Sequence, residues 1–238
     1  MQLYRPEFKQ LPPTLFALIP AAGAGARLAA GRPKQYLALH GRPMLWHAVR
    51  AVCVPQVQSV FVVLTPGDDA FATHDWSAFG AKLEPLYCGG QTRRDSVYNG
   101  LVAAMDEIQA DDWILVHDAA RPCLPASDLE KLVQEAGEDE VGGILALPVV
   151  DTVKSAAGGR IQSTEDRSRL WLAQTPQMFR AGLLMQALQR AKGTITDEAA
   201  AVEQLGLKPR IVAGSRENLK VTWPEDVALA ESILRGRS

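Results

Sequence analysis

Strand-length apolar runs alternate with amphipathic helical stretches along this chain, and few folds accept that order. Leu15–Ile19, Val60–Leu64, Leu83–Tyr87, Trp113–Val116 and Gly142–Leu147 read as strands. Residues 43–53, 94–107, 126–137, 180–191, 197–205 and 224–234 carry apolar side chains at helical spacing. Strands joined through helices need crossover connections, which predicts an α/β fold: a mostly parallel, twisted sheet covered by helices on both faces. Ligands of such sheets bind beyond the carboxyl ends of the strands. The loops that follow the strands are therefore where chemistry is expected. A chain of 238 residues reads as one domain, 1–238, with core enough to stand without disulfides or metal.

Residues 148–172 break the rhythm. Pro148–Lys154 reads as an extended strand, Gly158-Gly159 as a turn, and Ile161–Glu165 as the return. The segment is too polar for a central parallel strand, so a projecting hairpin arm is expected. Such an arm buries little of itself. Packing against a second subunit and a mobile surface hairpin account for it equally well at this stage.

Composition narrows the partners. The net charge is −2, which excludes the global basic field that draws a protein to nucleic acid. An anionic ligand must then be met by a local cluster of cations. Cys53, Cys88 and Cys123 are odd in number and far apart, with no CxxC pair, which fits a reducing cytoplasm. Residues 14–26, preceded by Arg5 and Lys9, have some look of a signal peptide. Glu7, Pro12 and Pro13 interrupt the lead-in and Pro20 breaks the apolar run, so a buried strand entering a glycine-rich loop explains them better. No apolar run reaches membrane-spanning length.

The loop after the first strand is Pro20-Ala21-Ala22-Gly23-Ala24-Gly25-Ala26-Arg27. Its glycines allow close backbone approach, and backbone N–H groups in such a loop cradle phosphate oxygens. It is neither common phosphate loop. Leu28 replaces the third glycine of G-x-G-x-x-G, and no G-x-x-x-x-G-K-[ST] is present. Arg27 offers a planar fork and Lys34 a compact charge, as a triphosphate requires. An ordinary strand-to-helix loop with solvated cations has the same spacing.

Gly89-Gly90-Gln91-Thr92-Arg93-Arg94-Asp95-Ser96-Val97 repeats the theme after the third strand. Ser96 falls in the first helical turn, where N–H groups welcome anions, although capping by Thr92 or Asp95 is the commoner use of such residues. His117-Asp118-Ala119-Ala120-Arg121 ends the fourth strand. The Asp118 carboxylate can hold Mg²⁺ or a hydroxyl, and Arg121 can bind phosphate, or the two can simply pair. Thr152 and Arg167 on the arm can bring a hydrogen bond and a cation to a phosphate. Gln174-Thr175-Pro176-Gln177 leads into a helix, Thr194–Ala199 has capping-box character, and Lys220 lies in a short strand before the helix opened by Pro224.

Together with Pro33-Lys34-Gln35-Tyr36, Asp151-Thr152-Val153-Lys154, Asp166-Arg167…Leu170-Trp171, Thr196-Asp197-Glu198-Ala199 and Asn218–Thr222, these segments form an ordered set. It resembles the 2-C-methyl-D-erythritol 4-phosphate cytidylyltransferases of non-mevalonate isoprenoid synthesis, over about residues 15–234. The resemblance implies a Rossmann-like nucleotidyltransferase fold and a homodimer that exchanges arms. It implies Mg-CTP and a small sugar-alcohol phosphate as ligands. Arg27, Lys34, Arg167 and Lys220 become the catalytic cations. Pro20, Ala21, Ala22, Gly23, Gly25, Gly90, Ser96 and Ala119 join Arg27 and Lys34 around CTP. Asp118, Arg121, Thr196 and Lys220, with Thr152 and Arg167 of a partner's arm, take the sugar phosphate. No direct metal ligand is assigned beyond the option of Asp118. Gln91 stands where the family often has Asp. The rivals are a cytidylyltransferase for another polyol phosphate such as ribitol 5-phosphate, a non-catalytic nucleotide-binding protein, and an NAD-binding oxidoreductase, against which Leu28 argues.

Overall fold

The computed structural model describes residues 13–23 and 33–237. Its strands are β1 (Leu15–Pro20), β2 (Ala38–Leu39), β3 (Arg42–Pro43), β4 (Val57–Val63), β5 (Leu83–Leu86), β6 (Trp113–Val116), β7 (Gly143–Pro148), β8 (Val153–Ala157), β9 (Arg160–Glu165), β10 (Trp171–Arg180) and β11 (Arg210–Ala213). Its α-helices are α1 (Met44–Val52), α2 (Arg93–Ala103), α3 (Ala126–Gly137), α4 (Ala181–Arg190), α5 (Glu198–Glu203) and α6 (Pro224–Arg235).

Seven strands form one sheet in the order β11-β7-β10-β6-β1-β4-β5. β1 lies between β4 and β6 and is parallel to both, and β10 alone runs against its neighbours β6 and β7. The expected mostly parallel sheet is therefore present. β1 shows why its sequence is apolar throughout. Leu15, Ala17 and Ile19 face one layer, with Leu45, Ala48, Val49 and Val52 of α1 and Leu129 and Leu132 of α3. Phe16 and Leu18 face the other, with Val97 and Leu101 of α2 and Leu184 and Leu188 of α4. Side chains alternate across a strand, so a strand buried on both faces can carry a polar residue only where a hydrogen-bond partner meets it, and β1 carries none. Each such leucine or isoleucine, fully withdrawn from water, contributes about 1.5–3 kcal/mol before entropy is counted.

β10 departs from expectation. Residues 174–177 do precede a helix, α4, as expected, but they lie inside a ten-residue strand in the middle of the sheet, which was not foreseen. Proline lacks an N–H and argues against a central strand. The chain resolves this locally: between Ala173 and Gln177 the register with β7 slips, so that 174–176 stand outside the ladder, with a cis Thr175–Pro176 bond. The polar side chains are buried and find partners there. Gln174 Nε2 donates to Ser215 O at 3.0 Å, and Gln177 Nε2 to Asp197 Oδ2 at 2.9 Å. A second correction concerns Lys220. Residues 218–223 form no strand; one main-chain bond, from Val221 N to Ala120 O at 2.8 Å, runs between this segment and the loop after β6. Short β11 at the sheet edge was not foreseen.

The arm is a separate two-stranded sheet of β8 and β9. Gly158 and Gly159 both have positive φ, 58° and 73°, as a two-residue hairpin turn of matching twist requires. The side chains of β9 are exposed, Ile161 at 66%.

Candidate active site

The carboxyl ends of β1, β5 and β6 meet at a cleft of about 250 Å³. Every described residue assigned to CTP lines it: Pro20, Ala21, Ala22, Gly23, Lys34, Gly90, Ser96 and Ala119. Gly25 and Arg27 lie outside the described residues. Asp118 and Lys220 of the sugar-phosphate set line the same cleft, as do Gln35, Gln91, Thr92 and Arg93.

Each wall has a local cause. Lys34 opens a single 3-10 turn, Lys34–Tyr36, that is tied at two points. Gln35 Nε2 donates to Ala21 O at 2.7 Å, and Tyr36 Oη to Asp68 Oδ2 at 2.8 Å. The lysine is thus held against the end of β1. At the second wall, Thr92 and Asp95 do form a capping box on α2. Ser96 Oγ accepts from Gly90 N at 3.1 Å and donates to Thr92 O at 3.0 Å, so its hydroxyl closes the loop on itself. A Cβ on Gly90 would stand 2.4 Å from Asp95 Cβ, and one on Gly89 would stand 2.3 Å from Ala22 Cβ. The two glycines let the β5 loop lie against both α2 and the β1 loop.

Asp118 is the centre of the third wall. Lys220 Nζ lies 2.7 Å from Oδ2, and Arg93 Nε donates to Oδ1 at 3.0 Å. Arg93 turns its other two nitrogens to Glu198, with Nη1 to Oε1 at 2.6 Å and Nη2 to Oε2 at 2.8 Å. Burial works against the Asp118 charge, but Arg93 and then Lys220 outweigh it and hold the carboxyl below the usual carboxylate range. Burial likewise opposes the Arg93 charge, and Glu198 and Asp118 more than compensate.

The main chain of Asp118 is fixed from behind. His117 is fully buried, with Nε2 3.0 Å from Arg121 O and Nδ1 3.2 Å from Thr175 Oγ1. A carbonyl only accepts, so Nε2 carries the hydrogen and Nδ1 accepts from the threonine. Thr175 Oγ1 in turn accepts from Asp118 N at 2.9 Å. Burial pushes the imidazole down to about 4, so it stays neutral in this relay.

The remaining predicted residues are placed elsewhere. Arg121 is buried, and its guanidinium donates to Asn218 O at 2.6 Å and Ala173 O at 3.3 Å. The first of those bonds ties the loop after β6 to the segment that carries Lys220, while Arg121 Nε has no hydrogen-bond partner among the described residues. Thr152 and Arg167 are exposed on the arm, with Arg167 Nη1 donating to Val150 O. Thr196 is exposed just before α5. Sequence reasoning gave no site role to Arg93 or Glu198, which pair across 105 positions. One signal was present: Arg93 is the first residue of a helix, where the dipole disfavours a cation unless a carboxylate holds it.

Among the described residues no group of three or more His, Cys, Asp or Glu is placed to hold a metal ion. The carboxylate of the cleft has both oxygens on cations. What the walls offer is backbone N–H groups, three cations and one oriented carboxylate, suited to binding phosphates and positioning a second anion. Sheet and site together define the nucleotidyltransferase class.

The particular family follows from comparison. Residues 15–236 match the family model for 2-C-methyl-D-erythritol 4-phosphate cytidylyltransferase. The enzyme of that name from Nitrosospira multiformis is 56% identical over 225 residues, 92% of this chain and 97% of the relative. A crystal structure of 4-diphosphocytidyl-2C-methyl-D-erythritol synthase superposes with a TM-score of 0.83 at 42% identity, covering 94% of this chain and 100% of that one. The Francisella tularensis cytidylyltransferase gives 0.77 at 35% identity, covering 92% and 99%. This chain belongs to the 2-C-methyl-D-erythritol 4-phosphate cytidylyltransferase family.

Proposed function

We propose that the chain transfers CMP from CTP to 2-C-methyl-D-erythritol 4-phosphate, in the service of isoprenoid synthesis. A phosphate oxygen of the acceptor attacks the α-phosphorus of CTP. The bond from that phosphorus to the bridging oxygen of the β-phosphate breaks, and pyrophosphate leaves with the electron pair. The observation that carries the reading is the convergence of Pro20–Gly23, Lys34, Gly90, Asp118 and Lys220 on one cleft from five separate stretches of sequence. Lys34, with Arg27, neutralises charge on the triphosphate as it builds up in the transition state. Lys220 draws in the acceptor phosphate, and Asp118 takes its hydroxyls. No protein nucleophile is needed, because positioning and charge stabilisation supply the catalysis.

Mg²⁺ belongs to the proposal as the companion of CTP. Magnesium at such sites takes most of its ligands from phosphates and water. Asp118, already shared between Arg93 and Lys220, is not assigned to it, and no step is drawn through the ion.

The arm is proposed to complete the site of a second copy, making the enzyme a homodimer. Support comes from its exposed hairpin and from the apolar side chains around its base, Val150, Leu170, Trp171 and Leu172, 37–59% exposed. Thr152 and Arg167 would then reach a neighbour's sugar phosphate. No helix among the described residues is long and apolar enough to cross a membrane, and Cys53, Cys88 and Cys123 are free thiols, as in a cytoplasmic enzyme. Turnover of CTP with each of the two polyol phosphates tests the substrate. Pyrophosphate release with methylerythritol phosphate is expected, and release with ribitol 5-phosphate alone would overturn the reading.

A further inference from the structure

Glu198 does not line the cleft, yet it decides how one wall of the cleft is aimed. The residue is 1% exposed. Its two oxygens take both terminal nitrogens of Arg93 end-on, at 2.6 and 2.8 Å, leaving Nε on the flank of the guanidinium for Asp118 Oδ1 at 3.0 Å. The guanidinium is a rigid planar fork, so placing Nη1 and Nη2 sets the direction of Nε. Glu198 is itself placed by the sheet. Gln177 of β10, 1% exposed, accepts from Ala199 N at 2.8 Å and donates to Asp197 Oδ2 at 2.9 Å. Asp197 Oδ1 caps α5 by accepting from Ala200 N at 3.0 Å. Fixed contacts thus run from β10, just past its slipped segment, through the start of α5 and Arg93 to the carboxylate of the cleft.

Stability is a weak reason for such a pair. Buried ion pairs are often matched in stability by apolar residues of the same volume. We infer that Glu198 is a positioning residue for cytidylyl transfer: it aims Arg93 so that Asp118 presents one fixed face to the acceptor. The inference rests on the reading of Asp118 as an acceptor contact. It also has a sign that simple electrostatics does not share. Removing a negative charge beside a site for two anions raises their affinity if only the field matters. It lowers turnover of the acceptor if aim matters.

The test is a double-mutant cycle with Glu198→Gln and Asp118→Asn, read as kcat and KM for each substrate. Glu198→Gln is expected to lower kcat/KM for the sugar phosphate about tenfold while KM for CTP stays within about twofold. Asp118→Asn is expected to lose at least as much, and the double variant no more than Asp118→Asn alone. Full activity in Asp118→Asn would sink the acceptor reading of Asp118, and this inference with it. A damaged Asp118→Asn beside an undamaged Glu198→Gln, or losses that multiply in the double variant, would overturn the role of Glu198 and leave Asp118 in place. If Glu198→Gln does not unfold cooperatively, Arg93→Lys replaces it in the cycle. An ammonium lacks the rigid fork that grips both oxygens of Glu198 and aims a third donor at Asp118, so the same failure to multiply is expected, and multiplication again refutes the inference.

Discussion

Lys220 Nζ lies 2.7 Å from Asp118 Oδ2, joining the segment before the last helix to the end of a central strand. The lysine side chain is 49% exposed, so solvent weakens its part in holding the buried Asp118 charge, which Arg93 meets first. Its value is a cation held at the mouth of the cleft. Lys220→Met should lower kcat/KM for the sugar phosphate at least tenfold and shift the melting temperature by less than about 2 °C. Parallel thermal melts and pyrophosphate-release assays check both halves.

Gly90→Ala tests the close approach of the β5 loop to α2. The added methyl would stand 2.4 Å from Asp95 Cβ and 3.0 Å from Asp95 backbone carbon, so the loop must shift and the capping box with it. Loss of such a cap costs about 1 kcal/mol. The expected outcome is a melting temperature lower by roughly 2–4 °C and a KM for CTP raised about tenfold. Isothermal titration with CTP would show the same loss of affinity, and unchanged binding would speak against a loop that cradles the nucleotide.

The buried His117 predicts a stability slope on the acid side. Burial holds its pKa near 4, against about 6.5 in an unfolded chain. Between those values the unfolded state takes up a proton that the folded state refuses, so stability falls as pH falls from 6.5 towards 4. Down to pH 5, above most carboxylate titration, the loss amounts to about 2 kcal/mol. His117→Gln keeps a donor for Arg121 O but cannot titrate, and its unfolding free energy should fall less over the same window. His47, also pushed down by burial, leaves the variant some slope. Asp118 is shifted down, so its contribution is present above the usual carboxylate range and goes only at lower pH. Denaturant unfolding at pH 7, 6 and 5 separates these behaviours, and identical slopes would contradict the assignment of His117.

Arg167 tests the shared site. Arg167→Ala should raise KM for the sugar phosphate about tenfold and leave KM for CTP within about twofold. Mixed with Lys34→Ala chains, it should recover part of the activity, because one of the two sites in a mixed dimer then has both an intact cleft and an intact arm. No recovery after subunit exchange has been verified by mass would argue that each chain works alone.

Much of this protein was legible before folding. The apolar run Leu15–Ile19 had to be a strand buried on both faces, because no polar residue interrupts it, and the glycines beyond it had to approach something closely. The helix 126–137 was placed at its observed ends, and the hairpin arm followed from a polar segment turned by Gly158-Gly159. What stayed hidden was hidden for physical reasons. Gln174-Thr175-Pro176-Gln177 looks unlike a central strand because its polarity is satisfied by Ser215, His117 and Asp197, partners that only the fold brings near. The bonds from the Arg121 guanidinium to the Asn218 and Ala173 carbonyls were equally hidden, because those carbonyls lie 97 and 52 positions away along the chain.

Local sequence determined which segments are strands and which loops face the carboxyl edge, because strand burial and loop geometry act over a few residues. The tertiary structure alone decided which cations those loops share. An ion pair such as Arg93–Glu198 forms between groups 105 positions apart, and its energy depends on distance, burial and the direction of a side chain. None of these exists until the fold has brought α5 behind α2 and the end of β6.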